Sequence, residues 1–236
     1  MTGANNLPLI TDELTILTDF VPLDGLNIIE LGCGSAGLVR SLLKRHSGTR
    51  VTALEVDERQ HAKNLATPQE GLTFVAAGAQ AVPLPDATFD LALMLKSLHH
   101  VPLKDMALAL SEVARVLHPG GYFYASEPVY AGPMNEVIRL FNEERVVREA
   151  AQTALDAALE TGMWEQVAER CFDMPVHFDD FVDFEQRMMR PTFADHQLDD
   201  AKIAQVRAAF EPHCTATGAD FRRPMRVRLL RRTAQA

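Results

Sequence analysis

The chain has few cysteines, no long apolar run and no surplus of positive charge, and each shortage removes a class of function. Cys33, Cys171 and Cys214 are odd in number, far apart and without ligand spacing. Neither a disulfide framework nor a metal site is therefore expected, and a reducing cytoplasm fits best. No apolar stretch approaches the roughly 18 residues that a membrane span needs. The opening MTGANNLPLITDEL has no basic segment followed by an apolar one, so neither export nor membrane embedding is expected. The formal charge of -9 argues against a protein that grips phosphate backbones. The one basic concentration, Arg222, Arg223, Arg226, Arg228, Arg231 and Arg232, alternates in a way that reads as the wet face of a strand before it reads as a nucleic-acid contact. Repeats and disordered composition are also lacking. At 236 residues, 47% hydrophobic and 23% charged, the chain can bury one sizeable core.

The stretch Asn27 to Leu38, NIIELGCGSAGL, organises what is present: an apolar run ends in an acid and passes into a glycine-rich turn that opens a helix. Ahead of it, Leu14, Ile16, Leu17 and Phe20 have near-helical spacing, broken by Pro22 and Gly25. After it, Leu38, Leu42 and Leu43 share a helical face. Val51 to Leu54 then reads as a second strand ending in Glu55. Asp57 with Gln60 three residues later marks a helix start towards Leu65. Leu72 to Ala76 and Phe89 to Leu95 read as further strands, the latter buried on both faces. The face Leu103, Met106, Ala107, Leu110, Val113 and Leu117 predicts a helix closed by Pro119, Gly120 and Gly121, before a fifth strand at Tyr122 to Ser126. Strand and helix in alternation predict a parallel α/β sheet with right-handed crossovers.

From Pro133 to Cys171 the pattern is helical and rich in charge, divided at Gly162 into two expected helices. Two more are expected at Phe178 to Met189 and Asp199 to Phe210. Pro224 to Leu230 closes the chain as a strand, with Met225, Val227 and Leu229 on one face. For a sixth strand, Asp173 to Phe178 is the first choice and Thr215 to Thr217 the second. The expected organisation is one domain over 1-236, with a core of about 22-130 and a C-terminal strand at about 222-231. A helical insertion, or lid, occupies about 133-212 after the fifth strand.

Gly32, Gly34 and Gly37 spell GxGxxG between a strand and a helix, and Glu55 follows at about 20 residues. A dinucleotide enzyme uses such a loop to hold a pyrophosphate. Glu30, two residues before the first glycine, places a negative charge at the same point, which suits a ligand carrying an ammonium or sulfonium group better than one carrying two phosphates. A nicotinamide-dependent oxidoreductase and a non-catalytic nucleoside-binding protein remain as alternatives.

Five motifs in order resemble the class I S-adenosylmethionine-dependent methyltransferases, in their small-molecule, methyltransferase type 11-like branch. IIELGCGSAG is similar to the cofactor-binding motif and ALEVD to the motif ending in the ribose-binding acid. FVAAGAQAVPLPDATFDLAL resembles the third, SLHHV the loop after the fourth strand, and SEVARVLHPGG the turn before the fifth. The resemblance implies a doubly wound, mostly parallel seven-stranded sheet with a Rossmann-like methyltransferase fold, and methyl transfer from S-adenosyl-L-methionine to a small-molecule acceptor. It gives Glu30, Gly32, Cys33 and Gly34 to the methionine end, Glu55 to the ribose hydroxyls and Val56 to the adenine face. Ala79 and Gln80 lie at the adenine, and Met94 and Leu95 line the cofactor cleft. Where the family commonly has Gly-Asp-Ala, this chain has Ala77, Gly78 and Ala79, so Gln80 or a backbone carbonyl takes the place of the missing acceptor.

A catalytic base is needed only when the accepting atom must lose a proton. His99, His100 and Glu127 are the candidates, since ligands collect at the carboxyl ends of parallel strands. Packing and hydrogen bonding are the competing explanation for each. Lys96 interrupts an apolar run near the same rim, as a snorkelling side chain or as a partner for an acidic group. Met134, Phe141, Trp164, Met188, Met189 and Phe193 could roof an acceptor, with ordinary core packing as the alternative. Arg139, Arg145 and Arg148, interleaved with glutamates, read first as a solvated helix face. The accepting atom and the oligomeric state are not fixed by the sequence.

Overall fold

The structure, a computed structural model, describes residues 7–191 and 194–234. Two compact units emerge. Of the described residues, the larger comprises Asp12–Glu127, Glu149–Arg170 and those from Val227 on, and the other comprises those up to Thr11, Pro128–Arg148 and those within Cys171–Arg226.

In the larger unit, α1 (Leu14–Phe20) precedes β1 (Asn27–Leu31), α2 (Gly37–Arg45), β2 (Arg50–Glu55), α3 (Glu58–Leu65), β3 (Leu72–Ala76), β4 (Phe89–Leu95), α4 (Met106–Val116) and β5 (Leu117–Pro128). The pairs β1 with β2, β2 with β3, β1 with β4 and β4 with β5 are all parallel. The full strand order is β3-β2-β1-β4-β5-β8-β6, where β6 is Trp164–Phe178 and β8 is Gly218–Arg232; the two-residue β7 (Cys214–Thr215) pairs antiparallel with β8. The order reverses between β1 and β4, so their carboxyl ends flank a crevice at the topological switch point. Phe89, Leu91, Ala92, Leu93 and Met94 are all at most 2% exposed, as a strand covered on both faces requires.

Helix α4 packs Met106, Ala109, Leu110 and Val113 into this core, together with Ala151, Leu155 and Ala158 of α6 (Arg145–Glu160). Asp57 caps α3 by accepting the Arg59 N–H at 2.9 Å. The reciprocal half of the expected capping pattern is not made, because the Asp57 N–H donates to Glu55 instead, at 2.9 Å. No helix among the described residues is long and apolar enough to cross a membrane.

The smaller unit is built around an aromatic cluster. Here α5 (Pro133–Ile138), α7 (Phe181–Phe184) and α8 (Asp200–Phe210) bring Met134, Phe181, Phe184 and Phe210 together with Phe178 of β6 and Phe221 of β8. Helix α8 starts as expected at Asp199, which accepts the Lys202 N–H at 2.7 Å. The segment Phe178 to Met189, expected as one helix, is instead the end of β6, the short α7 and a π turn at Glu185–Met189.

Three further expectations are corrected. The segment from Trp164 to Cys171, expected as a helix, is the first part of strand β6, in which Ala168, Arg170 and Phe172 are more buried than Glu169 and Cys171; the end of β6 falls on Asp173 to Phe178, the first choice for the sixth strand. Arg228 is not on a wet face; its side chain is 3% exposed and meets Asp156 at 2.7 Å, while Gln166 accepts from its Nε. Arg148 is likewise buried, bonded to Glu144 and Asn135. Trp164 packs on Phe123 in the larger unit, whereas Met134, Phe141, Met188 and Met189 belong to the aromatic cluster of the smaller one. Phe193 lies outside the described residues.

Candidate functional site

The glycine loop leaves β1 through two left-handed residues, Gly32 at φ +74° and Gly34 at φ +52°. Gly32 is needed twice over, because a Cβ there would lie 2.7 Å from the Cβ of Ser97, just past β4. A Cβ on Gly34 would meet nothing within 4 Å, so this position faces open space. Gly37 has neither a left-handed φ nor a close neighbour, so the third glycine of the pattern is not demanded by the backbone. Ala36, at φ 58°, takes the left-handed position before α2.

Asn64 of α3, which the sequence reading passed over, anchors the loop from below. It is 2% exposed and donates to the Gly34 carbonyl at 2.8 Å and to the Cys33 sulfur at 3.7 Å. Cys33 is itself buried, and burial, with Glu30 and Glu55 nearby, pushes its thiol far above the usual range. The thiol is therefore an inert packing group.

Glu30, at the end of β1, is 3% exposed, and its Oε2 has no hydrogen-bond partner. Burial pushes its carboxyl up to about 8; Lys96 opposes that rise, while Glu13 and Glu55 add to it. Lys96 follows β4 in a left-handed conformation, φ 57°, with its Nζ 3.7 Å from the buried Glu13. The Tyr124 hydroxyl also donates to Glu13, at 3.3 Å.

At the end of β2, Glu55 is 7% exposed. One of its oxygens accepts the Gly34 N–H at 2.7 Å and the other the Asp57 N–H at 2.9 Å. A carboxylate has about four lone-pair sites. The two backbone bonds thus fix Glu55 and leave each oxygen able to accept a hydroxyl. Val56 beside it is 66% exposed, an apolar surface with nothing covering it. Across the sheet edge, a Cβ on Gly78 would lie 2.6 Å from Oε1 of Gln80. The Gln80 amide thus fills the space that a side chain at 78 would take. Ala79 is 7% exposed.

Past β4, Leu95 is partly exposed, while Met94 is 1% exposed and packs in the core with Ile29, Leu31 and Leu54. His99 and Glu127 are almost fully buried and bonded through Nδ1 and Oε2; the other Glu127 oxygen accepts the Leu98 N–H at 2.9 Å. A carboxylate at Nδ1 holds the proton there and leaves Nε2 with its lone pair. His100 is exposed, with its ring 4.1 Å from that of His99.

The arrangement therefore offers a cation acceptor, a diol acceptor, a flat apolar surface and a carboxylate-held imidazole, all at the carboxyl ends of parallel strands. These residues suit S-adenosylmethionine: the unpartnered Glu30 oxygen matches its ammonium, and the remaining lone pairs of Glu55 match its ribose.

Comparison with known proteins agrees with this chemistry. Residues 29–125 match the family described as Methyltransferase domain. The fatty-acid O-methyltransferase of Mycolicibacterium smegmatis is 38% identical over 108 residues, covering 43% of this chain and 36% of that protein. The 2-methyl-6-phytyl-1,4-hydroquinone methyltransferase of Synechocystis is 30% identical over 105 residues, covering 44% of this chain and 32% of its own length. The chain thus spans about a third of the length of these two relatives. Among solved structures, the YcgJ protein of Bacillus subtilis superposes with a TM-score of 0.66 at 16% identity, covering 94% of this chain and 98% of that one. The S-adenosylmethionine-dependent methyltransferase of Mesorhizobium loti does so with a TM-score of 0.54 at 21% identity, over 94% and 98%. At these identities the two structures establish the fold, a Rossmann-like methyltransferase sheet. Residues 29–125 are thus similar to a methyltransferase domain.

Proposed function

We propose that the chain transfers a methyl group from S-adenosylmethionine to a small-molecule nucleophile in the cytoplasm. The observation that carries this reading is Glu30, a buried carboxylate with an unpartnered oxygen at the tip of a strand, beside a loop whose Gly34 faces open space. Burial raises this carboxyl to about 8, which disfavours its charged form, and a ligand cation beside it would favour that form again.

In this reading Glu30, Gly32, Cys33 and Gly34 hold the methionine end, Glu55 the ribose and Val56 the adenine face. Ala79 and Gln80 edge the adenine. Leu95 borders the cleft and Met94 supports it from the core. When bound, the cofactor supplies an electrophilic methyl carbon on a positively charged sulfur. The protein's part is to align the acceptor, exclude water and, where the acceptor carries a proton, remove it. His99, oriented by Glu127, would take that proton at Nε2, with His100 beside it.

The names of the relatives, acting on a fatty acid and on a hydroquinone, support a small and largely apolar acceptor. Calorimetric titration with S-adenosylhomocysteine tests the cofactor reading: micromolar binding is expected, and binding of NAD in its place would favour an oxidoreductase. Methyl transfer from labelled cofactor across a panel of carboxylic acids, phenols and amines then tests the reaction. Cofactor binding with no transfer to any of them would favour a non-catalytic protein.

A further inference from the structure

The smaller unit contains a recess that the methyl-transfer reading does not use, lined entirely from residues 128–148 and 171–226. Val129 follows β5, Met134, Asn135 and Ile138 lie on α5, Arg148 stands in α6 and Arg223 in β8. The Val129 N–H donates to the Pro224 carbonyl at 2.8 Å, which keeps the strand carrying Arg223 against that wall. The recess has about 200 Å³ of space with its open mouth included, and its enclosed floor admits about one water-sized group.

Asn135 marks the recess as a binding site. It is 5% exposed, and its Oδ1 accepts from Nη1 of Arg148 at 3.1 Å. A guanidinium only donates, so the amide must turn its oxygen that way and its nitrogen the other. That nitrogen, Nδ2, has no hydrogen-bond partner among the described residues. Arg148 is equally buried and is held at Nε and Nη2 by Glu144, so the pair has one arrangement.

A buried donor without an acceptor is costly, and a ligand oxygen placed on it recovers that cost. Two guanidinium groups, Arg148 and Arg223, line the same recess, with Glu144 as the acid that balances the first. An anionic oxygen is therefore a stronger acceptor here than a neutral one. The narrow floor selects among anions: a planar carboxylate enters edge-on, and a tetrahedral phosphate is wider. The rest of the wall, Val129, Met134 and Ile138, is apolar and suits a short hydrocarbon body.

We propose that this recess binds a small monocarboxylate: one oxygen accepts from Nδ2 of Asn135, the charge faces Arg148 and Arg223, and the apolar body lies on Met134 and Ile138. The glycine loop belongs to the larger unit, so the proposal stands independently of the methyl-transfer reading.

The test is an NMR titration of the intact chain, isotope-labelled at asparagine and at the methionine methyl groups, with sodium hexanoate, hexanamide and sodium phosphate as probes. The side-chain amide of Asn135, assigned through its own backbone, should move downfield with hexanoate and saturate in the millimolar range. Hexanamide should bind at least about tenfold more weakly, and phosphate should leave the signal in place. Asn135→Asp keeps an oxygen for Arg148 and replaces the donor by a negatively charged oxygen. Hexanoate affinity, followed at the Met134 methyl, should then fall at least about tenfold. Arg223→Gln should weaken hexanoate binding and leave hexanamide unaffected. An amide signal that hexanoate does not move means that Nδ2 meets water only and overturns the proposal. So does a shift that phosphate reproduces, or wild-type hexanoate affinity in Asn135→Asp. Should Asn135→Asp fail to fold, Arg223→Gln decides: weaker hexanoate binding supports the site, and unchanged binding refutes it.

Discussion

Asn64 donates from Nδ2 to the carbonyl oxygen of Gly34 at 2.8 Å, tying the buried face of α3 to the tip of the glycine loop. Its own Oδ1 is held by the Gln60 amide at 2.9 Å, so the side chain has one orientation. Asn64→Ala should leave the Gly34 carbonyl without this donor and lower stability by about 1–3 kcal/mol. Because Gly34 also donates to Glu55, the loss should reach the proposed ribose contact and weaken S-adenosylhomocysteine binding. Urea unfolding and calorimetry read the two effects separately.

The three loop glycines should not respond alike. Gly32→Ala meets both a left-handed φ and a Cβ contact of 2.7 Å with Ser97, and so forces β1 and the β4 end apart. Gly34→Ala meets the φ penalty alone, about 1 kcal/mol. Gly37→Ala, with ordinary helical backbone and free space, should be neutral or slightly stabilising. Melting temperatures should therefore fall in the order Gly37→Ala, Gly34→Ala, Gly32→Ala.

Most of the parallel sheet was legible in the sequence because its strands are short apolar runs closed by turn residues, a local signal. The buried acids at strand ends were legible for the same reason: Glu30 and Glu55 each close such a run. Glu13, Asn64 and Tyr124 were not, because each bonds a residue distant in sequence and is unremarkable in its own local pattern. The first part of strand β6, up to Cys171, was misread because Glu165, Gln166, Ala168 and Glu169 are good helix formers, whereas its end, Asp173 to Phe178, was read as a strand from its alternation. Arg228 and Arg148 show the same limit from another side. Alternation and charge spacing name a face, and only the packed structure says whether that face meets water or a carboxylate or amide of a neighbouring element.

Glu30 also makes a prediction about stability without ligand. Its carboxyl rises from 4.5 to about 8 in the folded protein, so between those values the native state binds a proton that the unfolded chain has released. Stability must then decline as pH rises through that window, by up to about 1.4 kcal/mol per pH unit. Glu30→Gln removes the titrating group while keeping its shape. Its denaturation midpoint should exceed the wild type's above pH 8 and change less with pH below it. Parallel profiles for the two proteins would mean that Glu30 is solvated enough to ionise at its ordinary value.

Gln80 and Gly78 should behave as one unit, since the Gln80 amide occupies the place of a residue-78 side chain. Gln80→Ala should weaken S-adenosylhomocysteine binding by about 0.5–1.5 kcal/mol, the net worth of one neutral hydrogen bond. Gly78→Asp alone puts a carboxylate against the Gln80 amide, 2.6 Å from Oε1 at its first atom, and should displace that side chain. Gly78→Asp with Gln80→Ala opens the space and supplies the acceptor, so affinity should recover towards wild type. Additive losses in the double variant would show that Gln80 does not stand in for an acid at 78.

The pairing of His99 with Glu127 separates base catalysis from alignment. Glu127 accepts at both oxygens, from Leu98 N–H and from the imidazole, so Glu127→Gln can keep the first bond only by turning its amide nitrogen toward Nδ1. That nitrogen donates, and Nδ1 must then accept, which moves the ring proton to Nε2 and removes the lone pair the reaction would use. If the acceptor needs a base, turnover should fall by about 10²- to 10⁴-fold with the affinity for S-adenosylhomocysteine unchanged, because neither side chain is assigned to the cofactor. His99→Gln should fall to the same level, and combining the two should cost little more, as expected for groups acting in one step. Full activity in Glu127→Gln would instead mean that the acceptor arrives already deprotonated or needs no base, and that the protein works on it by alignment alone.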